Sequence, residues 1–170
     1  ITSVAYVGGF FCFTKQGSDQ YIISNLLDAT AYDALDIQSA EAVPDSMRRV
    51  IGHNNELWLF CDRSIEIHQL TGAADFPFER QSGGVMDVGT IASSSAASLD
   101  DAIYWLGSDL VVYRAVGYRR ERISTHAIEA EIATFLQPEL ASGFTIVFSG
   151  HNLYALTFPS TIVASAGPGR

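Results

Sequence analysis

The sequence predicts a mainly β protein built from β-propeller-like blades of antiparallel strands, forming a partial propeller, with one short helix near residues 125–135. Three observations predict this fold class. Short runs of β-branched and aromatic residues recur between Gly, Asn, Asp and Ser residues, which is typical of antiparallel strands. Helical periodicity is confined to one segment. An aromatic motif recurs every 46 to 50 residues, which is the period of a propeller blade.

Twelve segments have the composition and length of strands. They comprise residues 3–7, 10–14, 21–24, 34–37, 48–52, 56–61, 64–69, 95–99, 102–106, 110–115, 144–148 and 153–158. Turns at residues 52–55, 61–63, 107–109 and 149–152 separate neighbouring strands, since Gly, Asn and Asp tolerate positive φ or cap themselves. Residues 83–89 and the small-residue run 92–98 are interpreted as a linker that leads into a strand.

The predicted helix covers residues 125–135. Thr125 can cap its start, and Ile128, Ile132 and Phe135 follow at the spacing of one apolar helical face. Pro138 prevents the helix from continuing because proline lacks the N–H group that a helix interior needs.

The repeat is visible when the hairpins that open at residues 8, 54, 100 and 150 are aligned. This alignment puts four aromatic residues in register, at spacings of 47, 46 and 50: Phe11, Trp58, Tyr104 and Tyr154. Large aromatics on propeller strands normally fill the space between blades, so these four are interpreted as structural. The alternative is a plain β-sandwich with evenly spaced strands.

A closed propeller has four to eight blades, and 170 residues at this period hold fewer than four. The sequence therefore predicts that residues 1–163 form part of a single β-propeller domain of about three to four blade units. Such a piece either belongs to a larger propeller or completes its sheet edges with other chains. Residues 164–170 have the composition of a tail.

The charge of the chain limits its function. Ten Lys and Arg residues against 19 Asp and Glu residues give a net charge of −9, which disfavours a protein that coats nucleic acid. An acidic protein can still line a conduit through which DNA slides without sticking. The chain contains no run of about 18 apolar residues that could span a membrane.

Sequence signals for chemistry are weak. Cys12 and Cys61 lack the spacing of a zinc site and are interpreted as small buried residues. His126 and Glu129 lie three residues apart on the predicted helix, but a metal needs further ligands, so a solvated helix start is the preferred interpretation. The sequence has no nucleophile elbow, HExxH motif, phosphate loop or Rossmann fingerprint. We therefore expect no catalytic residues, no metal and no cofactor.

Five strings of the sequence resemble the packaged-DNA stabilisation proteins of short-tailed bacteriophages, also called tail accessory or head-completion proteins. They are residues 58–60, 71–80, 99–107, 112–118 with 122–129, and 150–159. The resemblance runs from about Ser24 to Pro159. Its most specific part is Arg-Ile-Ser-Thr-His-Ala-Ile-Glu at residues 122–129, which follows a Gly-Tyr turn.

The resemblance implies a structural β-propeller protein of the virion tail, assembled in the cytoplasm of the host bacterium. Proteins of this family assemble in several copies under the portal and its adaptor ring. They close the DNA exit channel after packaging and form a platform for the tail needle and tailspikes. By this resemblance the chain is not an enzyme. Packaged DNA is close by, without sequence-specific binding, and no part of the chain enters a membrane.

Two arginine clusters, at residues 48–49 and 119–122, stand out in an acidic chain. Arg119, Arg120 and Arg122 are the candidate protein-interface residues, because arginine is enriched at interface anchors. The alternative is a solvated strand face with local Arg–Glu pairs. The alternative function is a propeller-type interaction or glycan-binding module for host recognition, which would need exposed aromatic residues on one face.

Overall fold

Among the residues that the structure describes, fourteen strands form four antiparallel sheets that follow one another along the chain. A computed structural model describes residues 1–33 and 35–159. Blade 1 consists of β1 (Val4–Val7), β2 (Phe10–Thr14), β3 (Gln20–Ile23) and β4 (Ile37–Ser39). Blade 2 consists of β5 (Met47–His53), β6 (Glu56–Cys61), β7 (Ile65–Leu70) and β8 (Phe78–Met86). Each of these sheets is a meander in which consecutive strands are hydrogen-bonded neighbours.

The second half of the chain repeats this pattern. Blade 3 consists of β9 (Ala97–Leu99), β10 (Ala102–Leu106), β11 (Val112–Val116) and β12 (Arg119–Arg122). The helix α1 (His126–Ile132) leads to blade 4, whose described strands are β13 (Ser142–Phe148) and β14 (His151–Thr157). The predicted mainly β fold with propeller blades is confirmed, and the sheets do not close into a ring within the described residues.

Two-residue turns join the first and second strands of every blade. Asn54 and Asn55 have φ of 50° and 62°, and Ser149 and Gly150 have φ of 51° and 78°. Positive φ at both central residues gives the turn twist that matches a right-handed β-hairpin, and Asn and Gly reach this region at low cost. These turns fix the register of the hairpins.

Apolar cores lie between successive blades. The core between blades 1 and 2 includes Cys12 and Tyr21 on one side and Leu57, Leu59 and Cys61 on the other. The core between blades 2 and 3 joins side chains of both blades: Trp58, Phe60, Ile65, Ile67, Met86, Ile103, Trp105, Tyr113 and Ala115. A third core brings Leu106 and Val112 of blade 3 against Tyr154, Leu156 and Phe158. Both cysteines are buried and free, as expected, and burial raises the pKa of each thiol to about 12.

One segment predicted as a linker is a strand, so that prediction is wrong. Residues 83–86 belong to β8, which pairs with β7 on both sides of a register shift between Glu66 and His68. Gly83 has a φ of 74° at this irregularity. A β-bulge needs residues that tolerate unusual backbone angles, which glycine does. The glycines also interrupt the alternation of apolar and polar residues by which a strand is recognised in a sequence.

Several predicted strand boundaries also shift by two or three residues, including those of β4, β9, β11, β13 and β14. Strand β4 begins at Ile37 rather than at residue 34, which lies outside the described residues. Strand β9 begins at Ala97, two residues later than predicted, because Ser93–Ser95 form a 3-10 turn. Strand β12 was predicted only as part of a turn and strand face, since its four residues are all charged. The tail predicted at residues 164–170 lies outside the described residues.

The 3-10 turn at Ser93–Ser95 connects three blades. Tyr154 of blade 4 donates its hydroxyl to the Ser95 carbonyl at 2.7 Å, and Arg49 of blade 2 donates Nη1 to the Ser93 carbonyl at 2.9 Å. The Ser95 hydroxyl accepts from the Leu106 N–H of blade 3 at 3.0 Å. We call this segment the hub. Its small residues are required because several main chains approach each other there.

The helix begins where the sequence predicts. The Thr125 hydroxyl accepts from the Ile128 N–H at 3.5 Å and caps the first turn. The helix ends at Ile132, three residues earlier than predicted. Of the predicted apolar face, Ile132 is buried, Phe135 packs on Phe158 at 4.6 Å beyond the helix, and Ile128 is about half exposed. No helix among the described residues has the length and apolar character needed to cross a membrane.

Gly143 packs closely against the hub, and a larger residue at this position should destabilise the protein. We expect Gly143→Ala to destabilise the protein by about 1–3 kcal/mol, because overpacking a well-packed site costs this much. An added Cβ would lie 2.2 Å from the Ser95 carbonyl oxygen and 2.6 Å from the Tyr154 hydroxyl. Urea unfolding measures the change. The neighbouring exposed Ser142→Ala serves as the control, and equal stability of the two variants would contradict this account of the hub.

Candidate functional site

Strand β12 carries the three arginines predicted to lie at an interface. It is the outermost strand of blade 3, and all four of its side chains are exposed. Arg120 and Arg122 lie opposite Ala115 and Tyr113 of β11, whereas Arg119 lies opposite Val116. Because strand residues alternate, Arg119 points to the opposite face of the blade from Arg120 and Arg122. The three arginines therefore do not form one continuous patch.

Arg122 is held within the chain. Its guanidinium donates Nε to Glu129 Oε1 at 2.7 Å, forms a second bond to Glu129 Oε2, and lies 2.7 Å from His126 Nδ1. The Ser124 hydroxyl also donates to Glu129 at 2.6 Å. The hydrogen bond to Glu129 raises the pKa of Arg122, and the same contact lowers the pKa of Glu129. This ion pair fastens the edge of blade 3 to the start of α1.

Arg119 and Arg120 differ from Arg122 because their charges are not paired with a described carboxylate. Arg120 lies with its guanidinium carbon 5.8 Å from the centre of the Tyr113 ring, a cation–π distance. Neither Arg119 nor Arg120 forms a salt bridge with a described carboxylate, whereas Arg114 pairs with Glu121 at 2.8 Å. Arg119 and Arg120 are thus the members of the predicted set that keep their charge available to another molecule.

The arginines of the second cluster, Arg48 and Arg49, both have hydrogen-bond partners within the chain. Arg48 forms a salt bridge with Asp62, and Arg49 reaches into the hub. Burial lowers the pKa of Arg49, which has a carbonyl rather than a carboxylate as its hydrogen-bond acceptor. Arg49 therefore ties blade 2 to the hub, whereas the Arg48 salt bridge lies within blade 2.

The repeat aromatics all lie on the second strand of their blades, but in two different orientations. Trp58 and Tyr104 are the third residues after their turns, whereas Phe11 and Tyr154 are the second and fourth. Trp58 is buried against blade 3, and Tyr104 stacks on Tyr154 of blade 4 with ring centres 5.2 Å apart. Counted from the turns, the structural equivalents of Trp58 and Tyr104 are Cys12 and Leu153. The sequence alignment is therefore shifted by one residue in blades 1 and 4.

The sequence analysis missed a buried polar network between blades 1 and 2. The Tyr21 hydroxyl lies 2.9 Å from His68 Nδ1 and donates to Gln38 Oε1 at 2.8 Å. His68 Nε2 lies 2.8 Å from Glu66 Oε1, and the Ala42 N–H donates to Glu66 Oε2 at 2.8 Å. Since a carboxylate only accepts, His68 carries a proton on Nε2. The sequence signal was a histidine two residues after a glutamate on one strand, which places both side chains on one face.

The network places a hydroxyl, an imidazole and a carboxylate in series, as a catalytic triad does, but all three groups are buried and no substrate can reach them. Tyr21, His68 and Glu66 are 0%, 1% and 2% exposed. Burial alone would raise the pKa of Glu66, but the hydrogen bonds from His68 and Ala42 outweigh it and lower that pKa. Burial raises the pKa of Tyr21. The network therefore connects two blades and cannot act on a molecule in solution.

The described residues form surface clefts of different character. A cavity of about 330 Å³ between α1 and β14 is lined by apolar side chains with Ser124, Glu131 and Tyr154 as its polar members. His126 lies 3.6 Å from Glu129, but no group of three metal-binding side chains occurs within residues 1–33 and 35–159. A second cleft is lined by Asp19, Asp45, Asp62 and Arg63.

Comparison with known proteins gives one match that covers nearly the whole chain. Residues 1–166 match the family described as bacteriophage P22 Gp10, β-propeller. No curated protein matches the chain. The matched range includes all four blades, the hub and α1.

Proposed function

The chain belongs to the bacteriophage P22 Gp10 β-propeller family of phage stabilisation proteins, and from this membership we propose that it closes the portal channel as part of the tail hub. In this role it stabilises packaged DNA and forms a platform for other tail proteins. The family match over residues 1–166 is the observation that carries the proposal. The match supports a structural phage protein of head completion, and the tail-hub role is the further step.

The role requires shape and rigidity rather than a chemical step. Three apolar cores and the hub bind each blade to its neighbours, which suits a protein that must withstand the outward push of packaged DNA. The sealed Tyr21–His68–Glu66 network and the apolar lining of the α1–β14 cavity support a protein that is not an enzyme. We propose that residues 1–163 act as part of one propeller domain.

The negative net charge of the chain supports a role in which the protein lies near packaged DNA but binds it only weakly. A net charge of −9 repels phosphate, so a channel lined by this protein would let DNA pass and would not bind a particular sequence. The proposed partners are the portal and its adaptor ring, the tail needle, the tailspikes and further copies in a homo-oligomeric ring. The proposed location is the virion tail.

The direct test is DNA retention. Purified DNA-filled heads that lack this component are incubated with the complete protein that contains this region, and nuclease-accessible DNA is followed over time. Slower DNA release than from untreated heads is the expected result. Unchanged release by a folded protein would contradict the sealing function and favour a host-recognition module, which a glycan-binding screen would then examine.

The interface arginines give a second test. We expect the double variant Arg119→Glu, Arg120→Glu to bind DNA-filled heads at least tenfold more weakly than the unchanged protein, because charge reversal replaces attraction to partner carboxylates with repulsion. Co-sedimentation with heads measures binding. Arg122→Glu is not equivalent, since it also breaks the Glu129 contact. The matched control is Arg63→Glu, an exposed arginine of blade 2 that forms no salt bridge with a described carboxylate, and equal binding by the double variant and the control would rule out this interface.

A further inference from the structure

The protons of the buried network between blades 1 and 2 can be counted from its contacts. The Gln38 Oε1 atom is a carbonyl oxygen and only accepts, so its hydrogen bond with Tyr21 at 2.8 Å uses the single hydroxyl proton of that tyrosine. The Tyr21 oxygen also lies 2.9 Å from His68 Nδ1. Since the tyrosine proton is already used, the proton of this second contact belongs to His68 Nδ1.

The other ring nitrogen of His68 also carries a proton. His68 Nε2 lies 2.8 Å from Glu66 Oε1, and the Ala42 N–H donates to Glu66 Oε2 at 2.8 Å. Burial would raise the pKa of Glu66, but the hydrogen bonds from His68 and Ala42 outweigh it and lower that pKa. Glu66 is therefore an ionised carboxylate, which only accepts, and the proton of this contact lies on His68 Nε2.

We propose that His68 is a buried imidazolium, protonated on both nitrogens and paired with the Glu66 carboxylate, and that this pair makes the contact between blades 1 and 2 sensitive to pH. Removing two charges from water is costly, and a buried pair is stable only when hydrogen bonds satisfy its remaining donors and acceptors. Here each ring N–H has an acceptor, and each carboxylate oxygen has a donor. The side chains of His68 and Glu66 are 1% and 3% exposed.

The groups that blade 1 and the segment before β5 present near His68 keep their charge at neutral pH. Burial raises the pKa of Tyr21 and raises that of Cys12 to about 12, so both groups stay neutral. Between β4 and β5, Glu41 is exposed, and the Asp45 carboxylate accepts from backbone N–H groups of the turn between β6 and β7. Neither of these two acids is hydrogen-bonded to His68 within the described residues.

The remaining ionisable groups near the pair belong to blade 2. Burial raises the pKa of Cys61 on β6 to about 12, so this thiol is also neutral. Arg80 lies opposite His68 on β8, where it is exposed and permanently charged. Its like charge opposes the imidazolium, but the surrounding water and salt screen this repulsion. His68 is therefore the group of this set whose charge changes between about pH 5 and 8.

The second proton on His68 sets the direction of the pH dependence. A histidine in an unfolded chain has a pKa of about 6.5 and is mostly neutral above that pH. The folded protein then holds one more proton than the unfolded protein, so the free energy of unfolding decreases as the pH rises. The ratio of folded to unfolded protein should fall by up to about tenfold per pH unit above about pH 7.

The first test measures the protonation of His68 by NMR of the ¹⁵N-labelled protein at about pH 7.5. Replacing His53, His126 and His151 with Gln leaves His68 as the one histidine of the chain, so its two ring nitrogens need no further assignment. Two protonated nitrogens are the expected result. A ring with one protonated nitrogen would overturn the proposal, because Tyr21 would then donate to His68 and the Gln38 amide would donate to Tyr21.

A matched pair of variants tests the pH dependence. Gln38→Leu removes the acceptor of the Tyr21 proton, so the hydroxyl is free to donate to His68 Nδ1, which should then lose its own proton. Gln69→Leu is the control, since Gln69 is an exposed neighbour of His68 on β7. Urea unfolding is measured at pH 7 and pH 8.

The unchanged protein and Gln69→Leu should lose up to about tenfold more of their folded-to-unfolded ratio over this interval than Gln38→Leu. Each protein is compared with itself at the two pH values, so a general loss of stability in Gln38→Leu does not affect the result. Equal pH dependence of the three proteins would overturn the proposal.

Discussion

Glu66→Ala is expected to lower the free energy of unfolding by about 3–5 kcal/mol, the cost of removing one partner from a buried, hydrogen-bonded pair. The substitution would leave His68, which is 1% exposed, without the acceptor for its Nε2 proton. It would also leave the Ala42 N–H without its carboxylate partner. Urea unfolding followed by tryptophan fluorescence measures the change.

Two further variants distinguish the loss of the buried hydrogen bonds from the general effect of truncating a glutamate side chain. Glu66→Gln keeps an amide oxygen as an acceptor, so its loss of stability should be smaller than that of Glu66→Ala. Glu79→Ala, an exposed glutamate on the neighbouring strand β8, is the matched control and should change stability by less than about 0.5 kcal/mol. If Glu66→Ala unfolds at the same urea concentration as Glu79→Ala, the network does not stabilise the contact between blades 1 and 2.

Trp58→Ala is expected to cost about 3–5 kcal/mol, which is typical when a buried aromatic side chain is truncated. Trp58 is 2% exposed and fills the core between blades 2 and 3. Its indole Nε1 donates to Glu56 Oε2 at 3.2 Å, so the substitution also removes a hydrogen bond. Thermal unfolding and urea unfolding measure the effect, with circular dichroism as the common signal.

The control for Trp58 is Leu136→Ala, since Leu136 is 66% exposed and its truncation leaves no cavity. Trp58→Phe should fall between the two, because the phenyl ring fills part of the space and lacks the N–H donor. A near-neutral Trp58→Ala would indicate that blades 2 and 3 repack around the vacated volume and that this core is not closely packed.

The propeller fold could be predicted because its signals are local. Alternating apolar residues and Asn-Asn or Gly-containing turns specify each hairpin within a dozen residues, and β2, β6 and β10 begin and end at the predicted residues. The strand with a bulge, β8, could not be recognised from the sequence, because its residues do not alternate between apolar and polar. Its strand conformation is evident only from its hydrogen-bonded pairing with β7. Its two glycines resemble a linker for the same reason.

The orientation of the repeat aromatics shows a second limit. A strand reverses its faces with every residue, so an alignment that is one position off places a side chain on the wrong side of a blade. Phe11 and Tyr154 were aligned with Trp58 by residue type, whereas the turns fix the true register. Counting from the Gly8–Gly9 turn would have given Cys12 in place of Phe11.

The contacts of the candidate site residues were predictable only in part. The exposure of Arg119 and Arg120 follows from four charged residues on one strand. The pairing of Arg122 with Glu129 depends on how α1 folds back against β12, which no local pattern specifies. The contact of Tyr21 with His68 joins residues 47 positions apart, so only the stacking of blade 1 on blade 2 reveals it.

The hub has a mechanical consequence. Side chains of blades 2 and 4 donate hydrogen bonds to the carbonyl oxygens of Ser93 and Ser95. A backbone N–H of blade 3 donates a hydrogen bond to the Ser95 hydroxyl. A force applied to any one of these blades is therefore shared by the other two through a single short stretch of main chain. Two of the three acceptor atoms are backbone carbonyls, which a side-chain substitution in the hub does not remove. Substitutions elsewhere on the surfaces of these blades should therefore leave the connection between them in place.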